Sequence, residues 1–360
     1  MKRILCLSDG LMQGGAERQL IGLAHLLKNQ GYCVTLACYT DDIFYSDIIK
    51  ECELKLIRLT PRQNFLSKIM SVYKFLIREK FDCVIAYKDG ATSIACICKI
   101  LGLPYKLIVS ERNTTQKLSY RERIKFTLYS VADYIVPNSY TQGDFITKHY
   151  PRYKAKIRVI TNFTDLSKFT PSDCVLNSDK LRILTVGRVA NQKNIFRYLH
   201  AVKRVVSENK RIQFRWVGAI SVGQDDYYNQ CVKYIEKNGI SENFVFVPAT
   251  QNITEEYLQC DVFCLPSIYE GYPNVVCEAM ACGKPILCSN ICDNKYIIED
   301  GINGYLFDPI KESDIVEKIN KLCQLPSEKI IEMGRRSREI VLNKCSTDRF
   351  VDKYKIIIEM

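Results

Sequence analysis

Histidine is almost missing from this chain: His25, His149 and His200 are the only three in 360 residues, and they lie far apart. Cysteine is plentiful at 17, yet no two cysteines are spaced as C-x-x-C. Zinc sites draw on clustered thiolate and imidazole ligands, so these absences argue against a zinc centre. The cysteines fall inside apolar runs such as "RILCLSD" (3–9), "CVTLACY" (33–39), "DVFCLPS" (261–267) and "PILCSNIC" (285–292). That placement fits buried free thiols in a reducing compartment. Long apolar runs are missing too, with nothing near the roughly 18 residues of a spanning helix. The few apolar residues before Ser8 are too short for a signal peptide. A cytoplasmic protein is expected.

Several motifs are absent as well. Gly10, Gly14 and Gly15 in "SDGLMQGGAERQL" (8–20) do not have the spacing of G-x-G-x-x-G, and no Lys-Ser or Lys-Thr follows them to make a P-loop. No D-x-D stands near a strand end, and the Asp-Asp pairs at 41–42 and 225–226 read as solvated. There is no internal repeat and no low-complexity tract.

The net charge of +11 is unevenly placed. Residues 1–165 carry 25 Lys/Arg against 15 Asp/Glu, and the remainder carries 26 against 25. A basic first half attracts phosphates, nucleic acid or acidic lipid. No nucleic-acid-binding module is recognisable, so nucleic acid is disfavoured.

In both halves short β-rich runs alternate with helical periods. Strands are expected at 3–8, 33–39, 54–59, 83–87, 106–110, 134–138 and 157–160, then at 181–187, 212–218, 243–247, 261–266 and 285–289. Helices are expected between most of them and, at the end, near 327–342 and 346–358. Such alternation reads as doubly wound parallel sheets. The polar, turn-rich segment 161–180 reads as a linker. The fold class is therefore α/β, with two Rossmann-like domains facing a cleft. The first would span 1–163 and the second 164–343, and 344–360 would be a helix packing back on the first. Open α/β sheets bind ligands beyond the carboxyl ends of their strands, which suits a nucleotide on one side and a second substrate on the other.

Three segments sit at such ends. In "SIYEGYPNVVCEAMACGKP" (267–285), Ser267 to Gly271 form the loop after a buried strand. Pro273 is suited to be the first helical residue, with the helix running from Asn274 through Met280. The amides of residues 271–275 then form a helix start that favours anions. Glu270 stands beside it, and Glu278 follows a little over one turn later. Two carboxylates flanking an anion site suit the vicinal hydroxyls and diphosphate of a nucleotide-sugar. One solvated glutamate and one helix-dipole glutamate fit the spacing equally well. In "TVGRVANQKN" (185–194), Gly187 ends a strand, and Arg188 and Lys193 follow in a loop suited to a diphosphate, or to a merely solvated face. The Gly14-Gly15 pair is a third strand-to-helix turn.

In this order "GGAERQL", "GRVANQKN" and "PSIYEGYPNVVCEAMACGKPIL", with "IVPNS" (135–139) and "DGINGYLFDP" (300–309), resemble the retaining glycosyltransferases of family 4, across nearly the whole chain. The resemblance implies the glycosyltransferase B fold. It implies that Glu270 is the first glutamate of an E-x7-E pair and contacts the transferred sugar, while Glu278 holds the ribose. Arg188 and Lys193 would neutralise the leaving diphosphate. Gly15 would close over the donor, and Gly271, Tyr272, Pro273, Asn274 and Val275 would cradle sugar and phosphate near Gly187. Retention is implied by the resemblance alone, with attack on the face of departure and the leaving phosphate taking the acceptor's proton. No cofactor and no bound metal are expected. Many relatives carry a histidine after the fifth strand, whereas this chain reads "SERNTTQKLSY" (110–120), leaving Glu111, Arg112 or Asn113 for that polar role on the acceptor side.

Two basic stretches, "RQNFLSKIMSVYKFLIREK" (62–80) and "KLSYRERIKFTLYSVADY" (117–134), mix cations with apolar and aromatic residues. In the first, Phe65, Ile69, Val72, Phe75 and Leu76 fall near one face. They read either as ordinary solvated helices or as docking sites for an anionic membrane, peripheral on its inner face. A polyprenyl-diphosphate-linked or cell-surface glycan is the expected acceptor, as in polysaccharide, lipopolysaccharide or capsule synthesis. The expected donor is a UDP-linked hexose or N-acetylhexosamine. An epimerase or hydrolase on the same fold, or a non-catalytic nucleotide-sugar-binding scaffold, remains an alternative.

Overall fold

The computed structural model describes residues 1–41, 43–59, 64–172 and 180–360. Asp42 of the first Asp-Asp pair, Arg62 and Gln63 of the first basic stretch, and 173–179 of the expected linker lie outside the described residues. The chain forms two compact units, one of residues 1–163 with 347–360 and one of residues 164–346.

Unit 1 contains β1 (Arg3–Ser8), α1 (Gly15–Asn29), β2 (Cys33–Cys38), α2 (Ser46–Glu51), β3 (Lys55–Arg58) and α3 (Phe65–Glu79). It continues through β4 (Cys83–Tyr87), α4 (Asp89–Ile100), β5 (Lys106–Glu111), α5 (Tyr120–Leu128), β6 (Tyr134–Pro137) and α6 (Tyr140–His149). All pairings are parallel, in the order β3-β2-β1-β4-β5-β6. β1, β2, β4, β5 and β6 are buried on both faces, so they are largely apolar rather than alternating, whereas the edge strand β3 is not buried. Leu5 and Leu7 enter one core layer, with residues of α3, α4 and α5. Ile4 and Cys6 enter the opposite layer, with α1.

Segment 157–160, expected as a strand, lies along β6 without becoming one. Arg158 N–H donates to Ile135 O and Ile160 N–H to Pro137 O. Pro137 has no N–H to return, so pairing ends at the Ile135–Ile157 bridge.

Unit 2 runs through β7 (Leu181–Val186), α7 (Ile195–Glu208), β8 (Ile212–Val217), α8 (Asp225–Lys237), β9 (Phe244–Val247), α9 (Ile253–Gln259) and β10 (Val262–Leu265). It closes with α10 (Asn274–Ala281), β11 (Ile286–Ser289), α11 (Asn294–Ile297), β12 (Gly304–Phe307), α12 (Glu312–Cys323) and α13 (Ser327–Lys344). Its parallel sheet is ordered β12-β11-β10-β7-β8-β9, the same winding as in unit 1. Each chain path therefore reverses once, between β1 and β4 and between β7 and β10. A crevice forms at such a reversal, outside the carboxyl ends of the two strands.

The last helix, α14 (Thr347–Glu359), belongs to unit 1. It begins at Thr347 rather than 344 because α13 continues to Lys344. Phe350, Val351, Tyr354, Ile357 and Ile358 complete the core layer that holds Ile4 and Cys6. Lys2 and Lys106 both donate to the Ile358 carbonyl, at 3.1 and 2.9 Å, satisfying an acceptor that a helix end leaves open.

Every described cysteine is a free thiol, most of them buried. No described helix is long and apolar enough to cross a membrane.

Candidate functional site

The β7/β10 reversal of unit 2 brings two of the expected residues together. β7 ends at Val186, and the chain passes Gly187 and Arg188 into a single 3-10 turn, Asn191–Lys193, before α7. Trp216 Nε1 donates to the Gly187 carbonyl at 2.8 Å, and a side chain at the neighbouring Gly218 would run into that same carbonyl. A Cβ on Gly187 would come within 3.2 Å of the Lys193 side chain. Glycine at 187 therefore lets Lys193 fold back over the strand end.

β10 is the second wall. Ile268 N–H donates to Gln192 O at 2.8 Å, and Gln192 Nε2 donates to Tyr269 O at 2.8 Å. These two bonds tie the loop after β10 to the turn after β7. Held this way, Lys193 Nζ lies 2.5 Å from Glu270 Oε1, with side chains only 15% and 12% exposed. The Glu270 backbone also faces the half-buried Cys292 thiol, whose pKa is raised chiefly by burial. Arg188 is exposed, and its guanidinium pairs with no described carboxylate.

Helix α10 begins at Asn274, and Pro273 occupies the cap with ψ 107° rather than the first helical position. Its extended backbone places it before the helix. At this helix start Val276 and Cys277 N–H both donate to the Pro273 carbonyl, at 3.2 and 3.3 Å. Gly271, Asn274 and Val275 are half-buried; Tyr272 and Pro273 are buried. Tyr272 OH lies 3.2 Å from the Cys345 thiol. Glu278 is buried, and Tyr257 OH donates to its Oε2 at 2.9 Å.

In unit 1, Gly15 opens α1, exposed, and Gly14 is the helix cap with extended backbone. The β1/β4 reversal gathers residues that sequence reasoning did not select. Asp9 follows β1 and accepts from Tyr39 OH and, at 3.3 Å, from Gly90 N–H. Burial outweighs these bonds and raises the Asp9 carboxyl above its ordinary range. Lys88 follows β4 with φ +71°, and its ammonium pairs with buried Glu17. A non-glycine residue with that φ is strained. The available signal was an acid after one strand and "KDG" after the other, both at carboxyl ends.

Glu111, Arg112 and Asn113 are not one group facing solvent. Glu111 is 1% exposed. Lys125 Nζ lies 3.0 Å from its Oε2, Tyr129 OH bonds its Oε1, and Gln142 reaches Oε2 at 3.4 Å. Burial works against the charge on Lys125, but Glu111 and Asp89 outweigh it and hold the ammonium above its ordinary range. Arg112 donates to Ser110 Oγ, Asn162 Oδ1 and the hydroxyls of Tyr87 and Tyr354. Asn113 alone is exposed. No cluster of three or more metal-ligating side chains occurs among the described residues.

Residues 169–339 match the family model for glycosyl transferases group 1, and residues 13–168 match that for glycosyltransferase family 4. The chain is 26% identical over 373 residues to an Escherichia coli UDP-Gal:alpha-D-GlcNAc-diphosphoundecaprenol alpha-1,3-galactosyltransferase, covering 95% of this chain and 92% of that protein. It is 24% identical over 298 residues to a Campylobacter jejuni N-acetylgalactosamine-N,N'-diacetylbacillosaminyl-diphospho-undecaprenol 4-alpha-N-acetylgalactosaminyltransferase, covering 78% of each. Anabaena HepE, solved in complex with UDP and glucose, shares the fold with a TM-score of 0.88 at 17% identity, over 100% of this chain and 99% of that one.

Proposed function

The chain belongs to the glycosyltransferases of the group 1/family 4 type, and from that premise we propose that it transfers a hexose or N-acetylhexosamine from a UDP-linked donor to a polyprenyl-diphosphate-linked glycan, with retention. Support for the donor and acceptor classes comes from the similar transferases of Escherichia coli and Campylobacter jejuni, whose names carry UDP-Gal and diphospho-undecaprenol-linked substrates. The observation that carries the donor half is the half-buried Lys193–Glu270 pair at the β7/β10 reversal, with exposed Arg188, which pairs with no described carboxylate, and the start of α10 near by in sequence.

Breaking the anomeric bond develops positive charge on the sugar and negative charge on the diphosphate. Arg188, Lys193 and the amides at the start of α10 stabilise the negative charge as it grows. Glu270 binds a sugar hydroxyl through its carboxylate and holds Lys193 in place. Glu278, oriented by Tyr257, takes the ribose hydroxyls. Gly187 and the Gly271–Val275 loop line the donor. In same-face attack the departing phosphate oxygen accepts the proton of the acceptor hydroxyl, so no carboxylate nucleophile is needed. Asp9, Glu17 and Lys88 receive the acceptor sugar in unit 1, with Asn113 as an exposed contributor. The work is done on the cytoplasmic face of an anionic membrane, and no metal takes part.

A thermal-shift screen of nucleotide-sugars followed by transfer assays tests this reading. A donor at 100 times its dissociation constant stabilises by about 2.7 kcal/mol, which is easily seen. No shift with any UDP-sugar overturns it, as does release of free sugar or epimer at one rate with or without acceptor. Transfer survives excess EDTA. Loss on chelation, restored by Mn²⁺ or Mg²⁺, would reveal a metal requirement.

Arg188→Ala slows transfer at saturating donor by about a hundredfold, since one preorganised charge contact to a departing group is worth roughly 3 kcal/mol. Single-turnover rates beside donor dissociation constants decide the point. A wild-type rate with weakened affinity makes Arg188 a binding contact only.

A further inference from the structure

The end of α13 meets α10 through sulfur. Cys345 Sγ lies 3.8 Å from Cys277 Sγ, and the Tyr272 hydroxyl lies 3.2 Å from the same Cys345 sulfur. All three side chains are buried, the two thiols at 1% exposure for Cys277 and 2% for Cys345. They share one apolar core layer with Val276, Met280 and Val341. Cys277 stands on α10, one residue before Glu278, and Tyr272 lies in the loop that leads into that helix. Cys345 ends α13, and its carbonyl accepts from Thr164 N–H at 2.9 Å.

Neither thiol is reactive while the layer is closed. The hydrogen bond with Cys345, and then burial, holds Cys277 well above the ordinary thiol range, and thiols with little thiolate character resist oxidation. Cys345 differs in its depth. Leu342, Asn343 and Lys344 before it are exposed and Ser346 after it is half-buried, so its thiol lies one residue in from an outer turn. Helix ends open locally more readily than core segments. Opening of this last turn brings Cys345 to solvent and leaves Cys277 in place.

We propose that Cys345 and Cys277 form a redox-modification site, closed to an intrachain disulfide by hydrogen peroxide and reopened by a dithiol. First the Cys345 sulfur attacks a peroxide oxygen: an S–O bond forms, the O–O bond breaks, and the displaced hydroxide leaves as water with the thiol proton. Then the Cys277 sulfur attacks the Cys345 sulfenic acid: the S–S bond forms, the S–O bond breaks, and the Cys277 proton leaves in a second water. The two thiols give up two electrons, which reduce the peroxide. The sulfurs close from 3.8 Å to about 2.05 Å, which takes Cys345 away from Tyr272 and pulls on α10 beside Glu278. In a reducing compartment such bonds are transient and serve redox sensing. That the bond weakens donor binding rests on the proposed function, in which the Gly271–Val275 loop and Glu278 hold the nucleotide-sugar. Its formation does not.

The test treats the full chain with hydrogen peroxide, blocks the remaining thiols with N-ethylmaleimide and maps the digested peptides by mass spectrometry. A linked Cys277–Cys345 peptide forms and is lost on treatment with dithiothreitol. The linked chain binds UDP about tenfold more weakly, and by reciprocity saturating UDP shifts the dithiol–disulfide equilibrium toward the dithiol by the same factor. Cys292 also faces the site through the Glu270 backbone, so activity alone does not decide. Cys277→Ala and Cys345→Ser, each checked for folding by its melting transition, keep their reduced-state UDP affinity after the same treatment. Recovery of the two thiols unlinked, or of Cys345 as a sulfinic acid or joined to another cysteine, overturns the proposal. Equal loss of UDP affinity in the wild type and both variants also overturns it, since another thiol would then be responsible. A linked chain that binds UDP as tightly as the reduced one overturns the coupling to the donor loop. No UDP binding by the reduced chain, with the linked peptide present and reversible, leaves the modification site standing and sinks the functional reading alone.

Discussion

Glu270→Ala lowers single-turnover transfer by about a thousandfold, on the order of 4 kcal/mol, while Glu278→Ala chiefly weakens nucleotide binding. Two losses combine at Glu270. The sugar loses a carboxylate contact, and Lys193 loses the partner 2.5 Å away that fixes its position. Removing one preorganised charged contact from an active site costs roughly 3–4 kcal/mol. Glu270→Gln, which keeps the shape but not the charge, falls between the two. Donor titration alongside the rates separates the roles. Near-wild-type transfer by Glu270→Ala would remove it from the chemistry and leave the Lys193 pair as a structural contact.

Lys125→Met destabilises unit 1 by about 3–5 kcal/mol, because it strands the buried Glu111 carboxylate without its cation. Melting falls by roughly 10 °C on a domain of this size. Glu111→Gln added to Lys125→Met restores much of the loss, since an amide can still bond Tyr129 and Gln142 without carrying charge. Denaturant unfolding of the single and double variants makes the comparison. If Lys125→Met melts like the wild type and instead raises the acceptor KM, Glu111 is a substrate group after all. The geometry opposes that outcome, because both carboxylate oxygens already accept from donors inside the unit.

The architecture was legible where apolar runs met turn residues. "RILCLS" and "DVFCLPS" are strands because both faces of a parallel sheet are buried, so no alternation disguises them. What escaped was short or edge-placed. α2 spans six residues with only Ile49 buried, and α11 spans four. β12 starts at Gly304 at the sheet edge, in a segment quoted for its resemblance but not read as a strand.

At the site, spacing gave Glu270 its neighbourhood but not its partner. Lys193 lies 77 residues earlier, and only the sheet order, with β7 beside β10, joins them. Glu111 lies deeper than its sequence suggests for the converse reason. Its loop looks polar and open in sequence, but Lys125, Tyr129 and Gln142 close on it from α5, the turn after it and α6. Asp9 and Lys88 went unselected because each is a single charged residue whose meaning comes from the reversal of strand order.

Unit 1 is built from both extremes of the chain, and α14 supplies Phe350, Tyr354 and Ile357 to a layer that otherwise contains residues from the first half. On the ribosome those residues emerge after all of unit 2. Nascent residues 1–163 must therefore wait with one side of their sheet uncovered while 164–346 are synthesised, a delay of about ten to forty seconds at 5–20 residues per second. Unit 2 can finish folding as it emerges, whereas unit 1 exposes Ile4, Cys6 and Val136 until α14 has emerged to cover them. Newly made protein is thus most prone to aggregation in that interval, and a stop codon near the end would leave the first unit permanently in that state.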